Sequence, residues 1–142
     1  MKRRRHGERG ITLVEVLVTL AIIGIMSAMS IGIGPRMLDN YRLDKDTRIL
    51  VSNLRETREK AMAENMWHEV KLYESINGYQ ILRAGQLLEQ VEFDQGITLQ
   101  GYNDIKFNPN GSVSLGATII LETRSGKQAK VIIAPAGRVR IE

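Results

Sequence analysis

The 142-residue chain contains no cysteine, which excludes a disulfide framework, a thiol nucleophile and a thiolate metal site and leaves its redox compartment open. It has two histidines, His6 and His68, so no Cys/His cluster with metal-ligand spacing occurs. No phosphate-cradling glycine loop or nucleophile elbow is present, and Asp44-Lys45-Asp46 lacks the spaced oxygen ligands of a calcium loop. With no convergent set of reactive groups, the chain reads as a non-enzyme without catalytic residues, cofactor or metal. Repeats, low-complexity tracts and long linkers are missing too. Its organisation must come from where apolar and charged residues fall.

The formal charge of +4 suggests a polyanion partner, but its source is local. Lys2, Arg3, Arg4, Arg5 and Arg9 against Glu8 supply all of it, and the chain from Ile11 onward carries 15 basic and 15 acidic side chains. If residues 1–10 are removed, the polyanion reading loses its support.

From Ile11 to Ile33 run 23 residues in which Glu15 is the only ionisable side chain. As a helix this covers roughly 35 Å, enough for a hydrocarbon core of ~30 Å. Five Lys/Arg precede it, while Arg36 to Asp46 mix both signs, so the positive-inside rule puts the N-terminus in the cytoplasm and the C-terminal bulk outside. A cleaved secretory signal would have a shorter apolar region ending in a small-residue site, for which Ser27-Ala28-Met29-Ser30 could serve. An uncleaved anchor is the other plain alternative. Neither accounts for Glu15, because a carboxylate in hydrocarbon costs on the order of a few kcal/mol and needs a cation. A cut between Gly10 and Ile11 would create one: the new α-amino group of a neighbouring copy, shifted by about one helical turn.

The stretch Arg9-Gly10-Ile11-Thr12-Leu13-Val14-Glu15-Val16-Leu17 resembles the prepilin processing motif of type IV pilins and type II secretion pseudopilins. The resemblance implies that a membrane prepilin peptidase/methyltransferase cuts after Gly10 and methylates Ile11, and that Glu15 serves recruitment and packing among other pilins in a filament. Gly24, Ala28 and Gly32 form a small-residue row at i, i+4, i+8 that lets membrane helices approach closely. The family often has a helix-bending proline where this chain has Gly32, and Pro35 follows three residues later.

Beyond Pro35 the helical period continues. Leu43, Leu50, Leu54 and Ala61 fall within roughly 40° of one another on a helical wheel, opposite a charged face with Asp44/Arg48 and Glu56/Lys60 at i, i+4. The helix should end near Asn65. Period-2 runs then occupy 69–73, 79–83, 87–93, 97–100, 104–107, 117–123 and 128–134, separated by Asn77-Gly78, Asn108-Pro109-Asn110-Gly111, Ser125-Gly126 and Ala136-Gly137. Ile119 and Leu121 should pair with Val131 and Ile133 about a turn at Arg124 to Lys127. The expected fold is α+β: a long N-terminal helix, membrane-spanning in its first half and amphipathic in its second, packed on a C-terminal antiparallel β domain. The expected divisions are a cleaved leader (1–10), a transmembrane and assembly helix (11–34), an amphipathic helix (35–65) and a β head (66–142).

The second half resembles the H-type pseudopilins and the related FimT-type minor pilins through Asn53 to Ala61, Val70-Lys71-Leu72, Phe107 to Gly111 and Ala136-Gly137-Arg138-Val139-Arg140. This implies a minor pseudopilin of type II protein secretion in the cytoplasmic (inner) membrane, with its β domain on the outer or periplasmic side. From residue 123 to 141 the chain has Arg124, Lys127, Lys130, Arg138 and Arg140 and no acidic residue. FimT-type pilins of DNA-uptake systems end in a Gly-Arg-x-Arg motif that binds DNA, which makes Arg138 and Arg140 DNA contacts in the alternative reading. Two positions apart on a strand, they point the same way. The plainer account is that they solubilise an edge strand or meet an acidic neighbour.

Overall fold

The computed structural model describes residues 12–30 and 34–142. It contains two helices, α1 (Leu13–Ser30) and α2 (Gly34–Ala63). Eight strands follow: β1 (His68–Tyr73), β2 (Gly78–Arg83), β3 (Gln86–Glu92), β4 (Ile97–Gln100), β5 (Ile105–Phe107), β6 (Ala117–Thr123), β7 (Gln128–Ile133) and β8 (Val139–Ile141). The chain divides into two compact units, residues 1–35 and 36–142. The expected α+β class is the one observed.

α2 can carry a proline at its second position because first-turn N–H groups have no intrahelical acceptor to lose. Its end is built by Asn65, which takes φ 50°. That lets Met66 N–H reach the Ala61 carbonyl (3.2 Å) and Asn65 N–H reach that of Met62 (3.4 Å), the paired bonds of a Schellman motif.

The strands form two antiparallel sheets, ordered β3-β2-β1-β5 and β4-β6-β7-β8. Alternation sends Val70, Leu72, Tyr79, Ile81, Ile105 and Phe107 inward from the first sheet. Ile97, Leu99, Ile119, Leu121, Val131 and Ile133 point inward from the second. Leu43, Leu50, Leu54 and Ala61 of α2 are fully buried in the same core. Each period-2 run found in the sequence is a strand to within a residue or so. The β6–β7 register sets Ile119 opposite Val131, as alternation requires.

Two elements differ from expectation. β3 is exposed along most of its length, with Leu87 and Leu88 turned outward, because it is a sheet edge that slips register where Ile81 faces Glu89 and Leu82 faces Leu87. Val91 packs half-buried against the core, and Phe93, past the strand's end, enters it 5.6 Å from the Tyr79 ring. β8 is an additional strand, too short at three residues to show a period. On α2, Glu56 and Lys60 pair at 2.7 Å, whereas Asp44 and Arg48 form no ion pair.

Polar contacts fix the helix on the sheets. Asn53 Nδ2 donates to the Tyr79 hydroxyl (2.8 Å), and the buried Asp46 carboxylate accepts Asp94 N–H (2.7 Å). Lys45 Nζ lies 2.7 Å from the Asp94 carboxylate. Burial pushes the Asp46 carboxyl above its ordinary value, with a smaller push in the same direction from Asp94 and opposition from the backbone hydrogen bond and from Lys45 and Arg42. A carboxyl raised on folding holds its proton more tightly in the native state, so its stabilising contribution is full below the unfolded value and is lost as pH rises through the folded one. Asp46→Asn keeps an acceptor for Asp94 N–H and should flatten the decline in stability above pH ~4, leaving stability at neutral pH equal or higher. Asp46→Ala orphans that N–H and should cost about 1–3 kcal/mol. Thermal unfolding across pH, followed by circular dichroism, checks both; an Asn variant as destabilised as the Ala variant would refute the account.

Candidate functional site

The processing residues Gly10 and Ile11 lie outside the described residues, as does Gly32. α1 begins just after Thr12, whose hydroxyl accepts Glu15 N–H (3.3 Å) and whose carbonyl accepts the N–H groups of Glu15 (3.1 Å) and Val16 (3.3 Å). Thr12 is thus the N-cap and Glu15 the third helical residue, an acidic side chain in the first turn where the helix dipole favours it. Sequence reading missed this cap, although Thr-x-x-Glu before an apolar run is its signature. Glu15 is exposed, and no described cation pairs with its carboxylate. Its partner is therefore not among the described residues of its own chain.

The rest of α1 is equally uncovered. Leu13, Val14, Leu17, Leu20, Ile23 and Met26 are all more than half exposed, so the helix shows apolar side chains in every direction. A Cβ built at Gly24 would meet nothing within 4 Å, and Ala28 is exposed. Among the described residues nothing requires a small residue at either position. Among the described residues no helix is long and apolar enough to cross a membrane. α1 has 18 described residues, about 27 Å against a core of ~30 Å. Both ends of the 11–33 run fall outside the described residues.

Of the C-terminal arginines, Arg140 sits on the edge strand β8 and Arg138 immediately precedes it, in a corner. Lys130 and Glu142 exchange both main-chain hydrogen bonds, and Ala134 N–H donates to the Arg138 carbonyl (2.9 Å), closing a β7–β8 hairpin over Pro135-Ala136-Gly137. Gly137 takes φ 77° at the position where a three-residue hairpin loop needs a left-handed residue. A Cβ there would collide with the Gly111 carbonyl oxygen and crowd Arg58. Arg58 Nε donates to that carbonyl (2.9 Å), and Val113 N–H donates to the Pro135 carbonyl (3.0 Å). The Asn-Pro-Asn-Gly and Ala-Gly-Arg turns and the middle of α2 therefore meet at one place. In the sequence Arg58 stood only within the Asn53 to Ala61 stretch, and its role as the link went unrecognised.

Arg138 and Arg140 are both exposed, flanking the half-buried Val139. The other cations do not gather with them: Arg124 packs over Gly96 and Lys127 lies in the β6–β7 turn, at the opposite end of β7, while Lys130 stands opposite Glu142. The run of five positive charges is divided. His68 is fully buried, its Nδ1 3.3 Å from the Met66 carbonyl and its Nε2 3.6 Å from Glu64, which pairs with Arg83 (2.6 Å). Lys106 sits over the neighbouring Trp67 ring at 4.0 Å. Among the described residues no cluster of His, Asp or Glu is arranged to hold a metal.

Residues 5–31 match the prokaryotic N-terminal methylation motif. Along nearly its whole length the chain is similar to the pilin-like protein PilA1 of Thermus thermophilus, 27% identical over 157 aligned positions that cover 94% of this chain and 98% of that one. Two solved structures share its fold. The type IV minor pilin FimU of Pseudomonas aeruginosa superposes with a TM-score of 0.62 at 18% identity, over 75% of this chain and 92% of the other. The minor pseudopilin EpsH of the Vibrio cholerae type 2 secretion system does so with a TM-score of 0.62 at 12% identity, over 71% and 96%.

The fold is pilin-like.

The resemblance read from Arg9 to Leu17 is carried by the methylation motif, and the structures of like fold include both a minor pilin and a minor pseudopilin. Within that head, Gly137→Ala should destabilise by about 3 kcal/mol, through backbone strain and the collision with Gly111. Arg140→Ala, on the exposed side of β8, should stay within about 0.5 kcal/mol of the parent. Denaturant unfolding of the two variants checks this, and equal costs would refute the corner.

Proposed function

We propose that the chain is a minor pseudopilin, a structural subunit of the pilus-like filament of a type II protein secretion system. The observation that carries the proposal is the methylation motif over residues 5–31, spanning an α1 whose apolar side chains are largely exposed among the described residues. Prepilin peptidase removes residues 1–10 and Ile11 is methylated, which leaves a subunit with balanced charge. Residues 11–33 anchor it in the cytoplasmic membrane with the N-terminus inside and the β head outside. Glu15 pairs with the Ile11 amine of a neighbouring subunit, and Gly24, Ala28 and Gly32 let helices of other pilins approach. The chain performs no turnover and needs no cofactor; its work is assembly.

Glu15→Ala should leave cleavage and methylation intact, with the mature mass beginning at N-methylated Ile11. Incorporation into filaments should fall on the order of tenfold or more, because the neighbour's amine is left buried without its counter-charge. Mass spectrometry and filament pull-down measure the two outcomes separately. Normal incorporation would refute the pairing, and an intact Met1 in assembled material would refute the processing.

A second reading, a FimT-type minor pilin that binds DNA during uptake, is favoured by the exposure of Arg138 and Arg140 at and just before the edge strand β8. Full-length protein in detergent would then bind duplex DNA in a salt-sensitive way, and Arg138→Ala with Arg140→Ala would weaken it. The secretion reading expects no such binding at low salt.

A further inference from the structure

The first turns of α2 break the pattern of the rest of that helix. Met37, Leu38 and Tyr41 are 70%, 48% and 67% exposed, three large apolar side chains within five residues. Burial of the helix begins only at Leu43. Followed outward at helical spacing, the Met37 stripe runs Met37, Tyr41, Asp44, Arg48, Ser52, Arg55, Glu59, and on the Leu38 face Arg42 and Lys45 intervene before a single further exposed apolar side chain, Ile49 (39%), so charge takes over from the cluster. A face built to pack along a neighbouring helix would stay apolar over several turns. This one is a short collar, flanked by Arg36 and by Arg42, which lies 3.9 Å from Asp39 and donates to the Gln95 carbonyl (3.1 Å). Apolar bodies with a tyrosine and arginines beside them are the composition of a membrane–water boundary, where an amphipathic ring and long cationic side chains are satisfied together.

We propose that Met37, Leu38 and Tyr41 form an interfacial collar that seats the head on the outer leaflet of the bilayer. The inference rests on the membrane-anchored reading and adds a second lipid contact to it. The reach is adequate. Tyr41 lies seven residues into α2, roughly 10 Å along its axis, and helical side chains lean back toward the N-terminus. The interfacial zone beyond the hydrocarbon is ~5–7 Å deep on each side, so a ring leaning back by about a turn enters it.

The lack of cysteine makes the test clean. Full-length protein carrying Met37→Cys, Ser52→Cys or Ile22→Cys, each with an environment-sensitive fluorophore, is reconstituted in phosphatidylcholine/phosphatidylglycerol vesicles that hold lipids spin-labelled near the headgroup or deep in the chain. The label at position 37 should be quenched by the shallow spin label roughly twofold or more over the label at 52, and adding Tyr41→Ser should reduce that excess. The label at 22 should respond to the deep spin label. Equal quenching at 37 and 52 with deep quenching at 22 overturns the collar and leaves the anchor standing. Loss of deep quenching at 22 overturns both. Shielding of position 37 that grows with the protein-to-lipid ratio assigns the patch to a neighbouring subunit and overturns the lipid contact.

Discussion

Everything in the head depends on α2 closing the core. The sheets are four strands each, and neither can cover its own apolar face. Leu43, Leu50, Leu54 and Ala61 bring one stripe of a 30-residue helix to both, and all four are fully buried. Full burial of a leucine contributes about 1.5–3 kcal/mol, so these few side chains are a large part of what a domain of this size has to spend. The polar contacts then fix where along the sheets the helix lies. Asp46 meets the chain after β3, Asn53 meets β2, Arg55 donates to the Val139 carbonyl of β8 (3.3 Å) and Arg58 meets Gly111.

That dependence explains what could be read in advance. The α2 stripe and the inward residues of β1, β2 and β4 to β7 were legible because burial on one face leaves a period of 3.6 or 2. β3 was legible as a strand but not as an edge, since Leu87 and Leu88 look like core residues until the pairing order places them outside. The Arg58 corner left no period at all. It joins a helix to two turns 53 and 79 residues further on, and only the glycines at 111 and 137 hint that something approaches their backbone closely. Of the candidate site, Glu15 was conspicuous because a lone carboxylate in an apolar run violates hydropathy. Arg138 and Arg140 stood out by spacing, yet the wider positive cluster dissolved once β7 put Arg124 and Arg138 at its two ends.

The comparisons and the geometry share a division. The solved structures of like fold cover 71–75% of the chain, and the head's core is built from α2 and its own strands; α1 carries the methylation motif and stays largely exposed among the described residues. The folds coincide at only 12–18% identity, as expected where volume and patterning rather than particular side chains fill a core.

Among the described residues, α1 leaves its apolar side chains largely exposed. Its leucines, isoleucines and valines gain no burial from the described residues, so the free energy of covering them is realised only in lipid or against other helices. In lipid that coverage is unspecific, because hydrocarbon tails surround any apolar helix equally well. Specificity must then come from the groups lipid cannot satisfy: the Glu15 carboxylate and the bare backbone at Gly24. A carboxylate that costs energy in hydrocarbon and regains it only beside one amine defines an axial register, while a glycine with open space around it permits a close approach without specifying one. In the proposed assembly the two features are complementary, and each acts between subunits.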